Sequence, residues 1–157
     1  MACRIGERMT GYTVVLTDAP DVVAQAVIGD ELDRFNEAYT GVKHSTPLAM
    51  LIKNAQDVVI GGLLGHTSLG LFFVDLVFLP DDLRSSGLGS KILQQAETEA
   101  IRRGCCQALL YTIAFQAPGF YRRHGYEVFG EVQSGPPDQA RIFMTKQLLQ
   151  GAVERVS

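Results

Sequence analysis

Apolar and polar positions change period along the chain, and each change marks an element. Tyr12 to Leu16 alternates and is rich in β-branched residues, the pattern of a short strand. After the Asp18-Ala19-Pro20 turn, Val22, Val23, Ala26, Val27, Leu32 and Phe35 recur at helical spacing over 21–39. Ile28-Gly29-Asp30 divides this into two helices if Asp30 serves as a second N-cap, and Thr40-Gly41 stops it. From Pro47 the period becomes that of strands: Leu48 to Ile52, a hairpin turn at 53–57, Val58 to Gly65, a turn at 67–70, then Leu71 to Leu79. Gly61-Gly62 signals a bulge or the close approach of another backbone. A helical period returns over 87–103 and stops at Gly104. Ala108 to Ile113 reads as a strand, and a short helix over 118–124 has Pro118 in its first turn and Gly125 after its end. Tyr126 to Val132 and Ile142 to Lys146 close the pattern as paired strands.

This order predicts an α/β (α+β) fold with a mixed, mostly antiparallel sheet of about six to seven strands flanked by about four helices. At 157 residues the chain is expected to form a single domain, 1–157. Residues 1–10 lie outside the pattern and are expected to be flexible, and Met9 would serve as a start as well as Met1.

Composition narrows the class. With 46% apolar and 20% charged residues the chain is ordinary for a globular protein. A net charge of −3 gives no electrostatic reason to expect a nucleic-acid partner. No apolar run approaches the roughly 18 residues of a membrane helix, and the first ten residues lack the apolar core of a signal peptide. Cys105 and Cys106 are adjacent with no second pair, which suits neither a disulfide framework nor a zinc site. The expectation is a cytoplasmic protein with reduced thiols and no bound metal.

The stretch from Asp81 to Lys91 stands out. A buried strand, a glycine-rich turn (Arg84-Ser85-Ser86-Gly87-Leu88-Gly89-Ser90) and a helix follow one another without slack. Glycines allow positive φ and close approach of a ligand, and a helix start offers free N–H groups and a positive dipole end to an anion. The Walker A register fails because Lys91 follows Ser90 and precedes Ile92. The Rossmann fingerprint fails because position 92 is Ile where a third glycine is required.

The spacing Arg84-x-x-Gly87-x-Gly89 after a buried strand, with Gly119-Phe120-Tyr121 and Gly125-Tyr126 some thirty residues on, resembles the GNAT superfamily of N-acetyltransferases. The resemblance covers about Pro47 to Leu148. Phe115 to Tyr121 followed by Gly125 to Gly130 is similar to one group of uncharacterised bacterial members. It implies that acetyl-CoA is the co-substrate, with its pyrophosphate on Arg84 and the amides of Ser85, Ser86, Gly87, Leu88, Gly89 and Ser90. It also implies that the pantetheine arm pairs with Val77, Phe78 and Leu79, where a backbone N–H would polarise the thioester carbonyl. Many relatives carry an asparagine where this chain has Ala114, so Phe115 or Gln116 would have to supply that contact. The partners implied are acetyl-CoA and a small-molecule or peptide amine, and a homodimer is common in families of this look.

Acetyl transfer needs a neutral amine, and neutralising an ordinary ammonium at pH 7 costs about 4.6 kcal/mol. Asp75 lies inside the apolar strand before the turn, where a carboxylate needs a reason. Either it takes the amine's proton or anchors its ammonium, or it pairs with an arginine or caps a bulge. From the resemblance, Tyr121 is the acid that protonates the departing thiolate, against the alternative of a ring packed on the sheet. His66 could line the acceptor site but reads as a turn residue, His124 as a helix-end residue, and Cys105 and Cys106 as packing residues. Asn36, Glu37 and Tyr39 are specificity candidates. Two other readings stay open: a non-catalytic acyl-CoA sensor, and an interaction protein on the same fold.

Overall fold

The computed structural model describes residues 6–9, the first four by backbone alone, and 11–149. They fall into two compact units, divided between His44 and Ser45.

In the first unit, strands β1 (Gly6–Met9) and β2 (Tyr12–Val15) form an antiparallel hairpin, Gly6 opposite Val15, turning at Gly11 with φ +90°. The expectation that nothing structural precedes Met9 is therefore corrected for residues 6–9; residues 1–5 and 10 lie outside the described residues. Helix α1 (Val22–Thr40) is a single element. Asp21 caps it by accepting from the Ala24 N–H at 2.6 Å, and Gly41 ends it with φ +73°. The break considered at 28–30 does not occur. One internal glycine costs only about 1 kcal/mol, and Asp30 has no free helix end to cap.

The second unit is built on a six-stranded sheet of β3 (Ser45–Lys53), β4 (Val59–Ser68), β5 (Leu71–Phe78), β6 (Gln107–Ile113), β7 (Glu127–Val132) and β8 (Arg141–Gln147), in the order β3-β4-β5-β6-β8-β7. Every neighbouring pair is antiparallel except β5 and β6. With helices α2 (Leu88–Arg102) and α3 (Pro118–Arg123), this is the mixed, mostly antiparallel α/β architecture expected, with three helices in the described residues where about four were anticipated.

Helix α2 lays Ile92, Leu93, Ala96 and Ala100 on the sheet, against Leu48, Leu63, Phe72, Val74, Ala108, Leu110 and Met144. Ala96 and Ala100 are fully buried, and their small side chains let helix and sheet approach closely. The helix ends in a Schellman motif: Gly104 (φ +87°) donates to the Ile101 carbonyl and Cys105 to that of Ala100. Arg103 then reaches the Pro47 carbonyl at 2.9 Å, tying the helix end to β3. Arg102 and Arg103 hold the Glu99 carboxyl down at about 2.

Two features of β5 shape everything that follows. Leu64 faces Leu76 while Gly65 faces Val74, so Asp75 is the extra residue of a β-bulge. In addition, the parallel ladder with β6 runs only from Leu71 opposite Gln107 to Val74 opposite Leu110. Beyond that point the two strands part. Strand β4 accommodates the bend because it carries no side chain there: a Cβ on Gly65 would lie 2.3 Å from the Phe73 carbonyl oxygen, and one on Gly61 2.7 Å from that of Phe78. The close approach expected of Gly61-Gly62 is thus present, and Gly65 shares it.

Gly65→Ala should therefore lower unfolding stability by about 2–3 kcal/mol in a denaturant titration. A loss below about 0.5 kcal/mol would show that the backbone at the bulge is free to move.

Candidate functional site

The parted strands open a cavity of about 770 Å³. One wall is Val77, Phe78 and Leu79, leaving the bulge along β5; the opposite wall is Thr112 of β6 with Phe115, Gln116 and Ala117. Arg84, Ser85, Gly87, Gly89 and Ser90 form one end, and Phe120, Tyr121, Arg123 and His124 close it from α3. Because β5 and β6 stop pairing at Val74 and Leu110, the edge of β5 from Asp75 to Phe78 has no strand beside it and is open to an extended ligand, while on the β6 side Gln116 takes the Ile113 N–H.

The turn is set by its backbone. Ser85 and Gly87 both have positive φ, +63° and +83°, and Gly87 is the N-cap of α2 with no side-chain capping bond. A Cβ at Gly89 would sit no closer than 3.5 Å to Phe120. The protein itself therefore does not demand glycine there, and the missing side chain leaves room beside the helix N-terminus. The Gly89 and Ser90 N–H groups of the first turn and the helix dipole suit this end of the cavity to an anion. Arg84 Nε donates to the Leu79 carbonyl at 3.0 Å, and Nη1 pairs with Asp81 at 2.7 Å. Asp81 is almost fully exposed, so this pair is weak and can yield to a phosphate.

Two of the residues expected in the turn play a different part. Ser86 and Leu88 do not line the cavity; Ser86 donates to the Leu83 carbonyl at 2.6 Å and accepts from the Leu88 N–H at 3.3 Å, bracing the turn from within.

Gln116 stands at the mouth of β6, its side-chain oxygen accepting from the Ile113 N–H at 3.1 Å and the Thr112 hydroxyl at 3.3 Å. Its amide NH₂ has no partner among the described residues. Ala114, by contrast, is packed against the core and spends its N–H on the Ala140 carbonyl. Phe115 is exposed at the cavity rim.

Tyr121 is 8% exposed, lies edge-on to Phe120 and Tyr126, and has no hydrogen-bond partner for its hydroxyl among the described residues. Burial pushes its phenol above the ordinary value. Behind it sits a polar group that the sequence did not reveal. The Tyr126 hydroxyl donates to Glu97 at 2.9 Å, and Glu97 pairs with Lys146 at 2.6 Å. Burial and the Glu97 charge raise the Tyr126 phenol far above its usual range. This group fixes the ring against which Tyr121 packs.

Asp75 requires a correction. It is not buried: its side chain is 48% exposed, and its partner is His66 Nδ1 at 2.7 Å rather than an arginine. It lies outside the cavity lining, beside the point where the strands part. His66 in turn belongs to β4, not to a turn, and its ring stacks parallel on Phe73 at 4.7 Å.

Sequence reasoning also passed over the far wall. His124 Nδ1 lies 2.8 Å from the Phe120 carbonyl and must donate there; Nε2, 2.8 Å from Ser90 Oγ, accepts from that hydroxyl when the ring is neutral. Thirty-four residues separate Ser90 from His124, and no local pattern announces such a pair. His66 and Asp75 were more legible, since both flank one tight hairpin. Asn36, Glu37 and Tyr39 belong to α1 of the first unit, where Glu37 accepts from the His44 N–H. Cys105 is buried and Cys106 exposed; no cluster of metal-ligating side chains occurs among the described residues.

Known proteins resemble this chain in sequence and fold. The family model for an acetyltransferase (GNAT) domain matches residues 49–128. An acetyltransferase of Agrobacterium fabrum is 37% identical over 133 residues, covering 85% of this chain and 97% of that protein. Blasticidin-S acetyltransferase of Streptomyces morookaense is 37% identical over 89 residues, 56% of this chain and 65% of its own. Among solved structures, an acetyltransferase from Bacillus cereus superimposes with a TM-score of 0.67 at 26% identity, covering 84% of this chain and 96% of that one.

The buried phenols set an alkaline limit. A tyrosine whose folded pKa is raised keeps its proton after the unfolded chain has lost it, so stability is full below about pH 10 and falls above it. Chemical denaturation at stepped pH should show this fall beginning near pH 10. Tyr121→Phe should make the fall shallower, and an identical profile would mean that Tyr121 is not shielded.

Proposed function

The chain belongs to the GNAT acetyltransferase family, and we propose that it transfers the acetyl group of acetyl-CoA to a primary amine by direct attack in a ternary complex. The observation that carries this reading is the cavity between parted β5 and β6, with an anion cradle at one end and an unpartnered buried phenol in its wall.

In this reading the pyrophosphate lies on the first-turn amides of α2, with Arg84 exchanging its exposed partner Asp81 for a phosphate oxygen. The pantetheine arm adds to the free edge of β5, pairing with Val77, Phe78 and Leu79 as another strand would. A backbone N–H of that edge polarises the thioester carbonyl. Asp75, where the strands part, anchors the acceptor ammonium and takes its proton. The amine nitrogen attacks the carbonyl carbon, the C–S bond breaks, the Tyr121 hydroxyl protonates the departing sulfur, and the second proton that the nitrogen sheds on becoming an amide restores the Tyr121 hydroxyl. Its raised pKa keeps that proton in place at neutral pH.

The acceptor is a small-molecule or peptide amine, and the blasticidin-S relative makes a small drug-like amine one class to include. We further propose that residues 1–157 work as one domain in the cytoplasm, where acetyl-CoA is available. Two unpaired cysteines and the lack of any membrane-crossing helix among the described residues agree with that.

Isothermal titration should give one acetyl-CoA site per chain, and Gly89→Ala should weaken it at least tenfold while melting unchanged, because the added Cβ meets only ordinary contacts. Absence of heat from the folded protein would sink the reading. Tyr121→Phe should lower turnover about 100-fold, as measured by release of the CoA thiol across an amine panel, with acetyl-CoA affinity nearly intact. Binding without turnover on any amine would instead identify a sensor.

A further inference from the structure

Asp75 is not a lone carboxylate. In the antiparallel register His66 stands opposite Phe73, and Asp75 follows two residues later on the same strand, displaced by the bulge. The bulge brings the carboxylate diagonally onto the imidazole, where Oδ2 lies 2.7 Å from Nδ1. Phe73 stacks on the ring at 4.7 Å with the planes 2° apart, which fixes the plane in which Nδ1 can donate. Asp75 Oδ1 has no partner among the described residues. The pair is too exposed, at 34% and 48%, for it to add much stability, so its geometry calls for another reason.

Building on the reading of Asp75 above, we propose that His66 is its positioning residue. The Nδ1–H holds Oδ2, fixes the carboxylate rotamer beside the opening between β5 and β6, and leaves Oδ1 to receive the acceptor's ammonium and its proton. The proton moves from the amine nitrogen to Oδ1; His66 keeps its own Nδ1 proton throughout. The donor comes from β4 and the carboxylate from β5, so the arrangement exists only when the bulge is formed. Any acceptor must therefore present its nitrogen to one side of a fixed carboxylate, which favours an unhindered primary amine over a crowded one.

Two measurements test this. The first needs no acceptor: long-range ¹⁵N–¹H spectra of the imidazoles in the full chain should show His66 protonated on Nδ1, and Asp75→Asn should change that signal. A His66 ring carrying its only proton on Nε2 would overturn the proposal, since it could not donate to Asp75. The second uses acetyl-CoA with n-butylamine and spermidine as probe amines. His66→Leu should lower kcat at least tenfold with KM for acetyl-CoA unchanged. His66→Asn, whose amide nitrogen takes the place of Nδ1, should recover activity to within about threefold of the parent. In an Asp75→Asn background His66→Leu should cost nothing further. An equal loss in both backgrounds, or full activity of His66→Leu, would contradict the proposal while leaving the role of Asp75 standing. Full activity of Asp75→Asn would instead remove Asp75 from the reaction, and the proposal with it.

Discussion

The structure depends on a hydrogen-bond ladder that stops. Strands β5 and β6 are the sole parallel neighbours in the sheet and pair over four residues on each side before separating. An unpaired strand edge inside a protein is costly unless something satisfies it. Here the edge lines an open cavity, and under the proposed function a ligand with alternating amide groups supplies the missing partners. The bulge at Asp75 bends β5 away, the glycines of β4 give it somewhere to go, and the turn from Arg84 to Ser90 lies at the far end of the freed segment. The four residue steps from Asp75 to Leu79 span about 13 Å. The acid–base group and the anion cradle of the proposed reaction are thereby held at a fixed separation.

Packing behind the cavity keeps those ends still. Helix α2 contributes both its N-terminus to the cradle and its apolar face to the core, so the anion site cannot drift without moving Ile92, Leu93 and Ala96. The same helix supplies Glu97, whose bonds to Tyr126 and Lys146 brace the ring beside Tyr121. His124 ties α3 to Ser90 of α2. Each wall is thus linked to another by a polar contact as well as by apolar burial.

Much of this was legible in the chain. Element order followed from period changes, and the turn from glycine spacing, because both are local properties of sequence. The residues Val77 to Leu79, Arg84, Ser85, Gly87, Gly89, Ser90, Phe115, Gln116 and Tyr121 all line one cavity. What failed depended on geometry across the fold. Asp75 sits in an apolar run and so looked buried, but a bulge turns it to the surface, and a single extra residue leaves no mark on composition. Ser86 carries the right residue type for a cradle yet faces into its own turn. His66, His124 and the Glu97 group act through partners that only the strand register or the docking of α2 and α3 brings near. The continuous helix α1 shows the opposite error, where a local break signal at Gly29 was outweighed by the length of the helix around it.

Backbone amide hydrogen exchange, with and without acetyl-CoA, tests the central claim most directly. The account predicts slowed exchange at two separated places in the same titration: along the freed edge of β5 at 76–79, and in the first turn of α2 at 87–90. The outer strands β3 and β7 should be unaffected. Protection absent from both places, or spread evenly over the sheet, would contradict a cofactor held between parted strands.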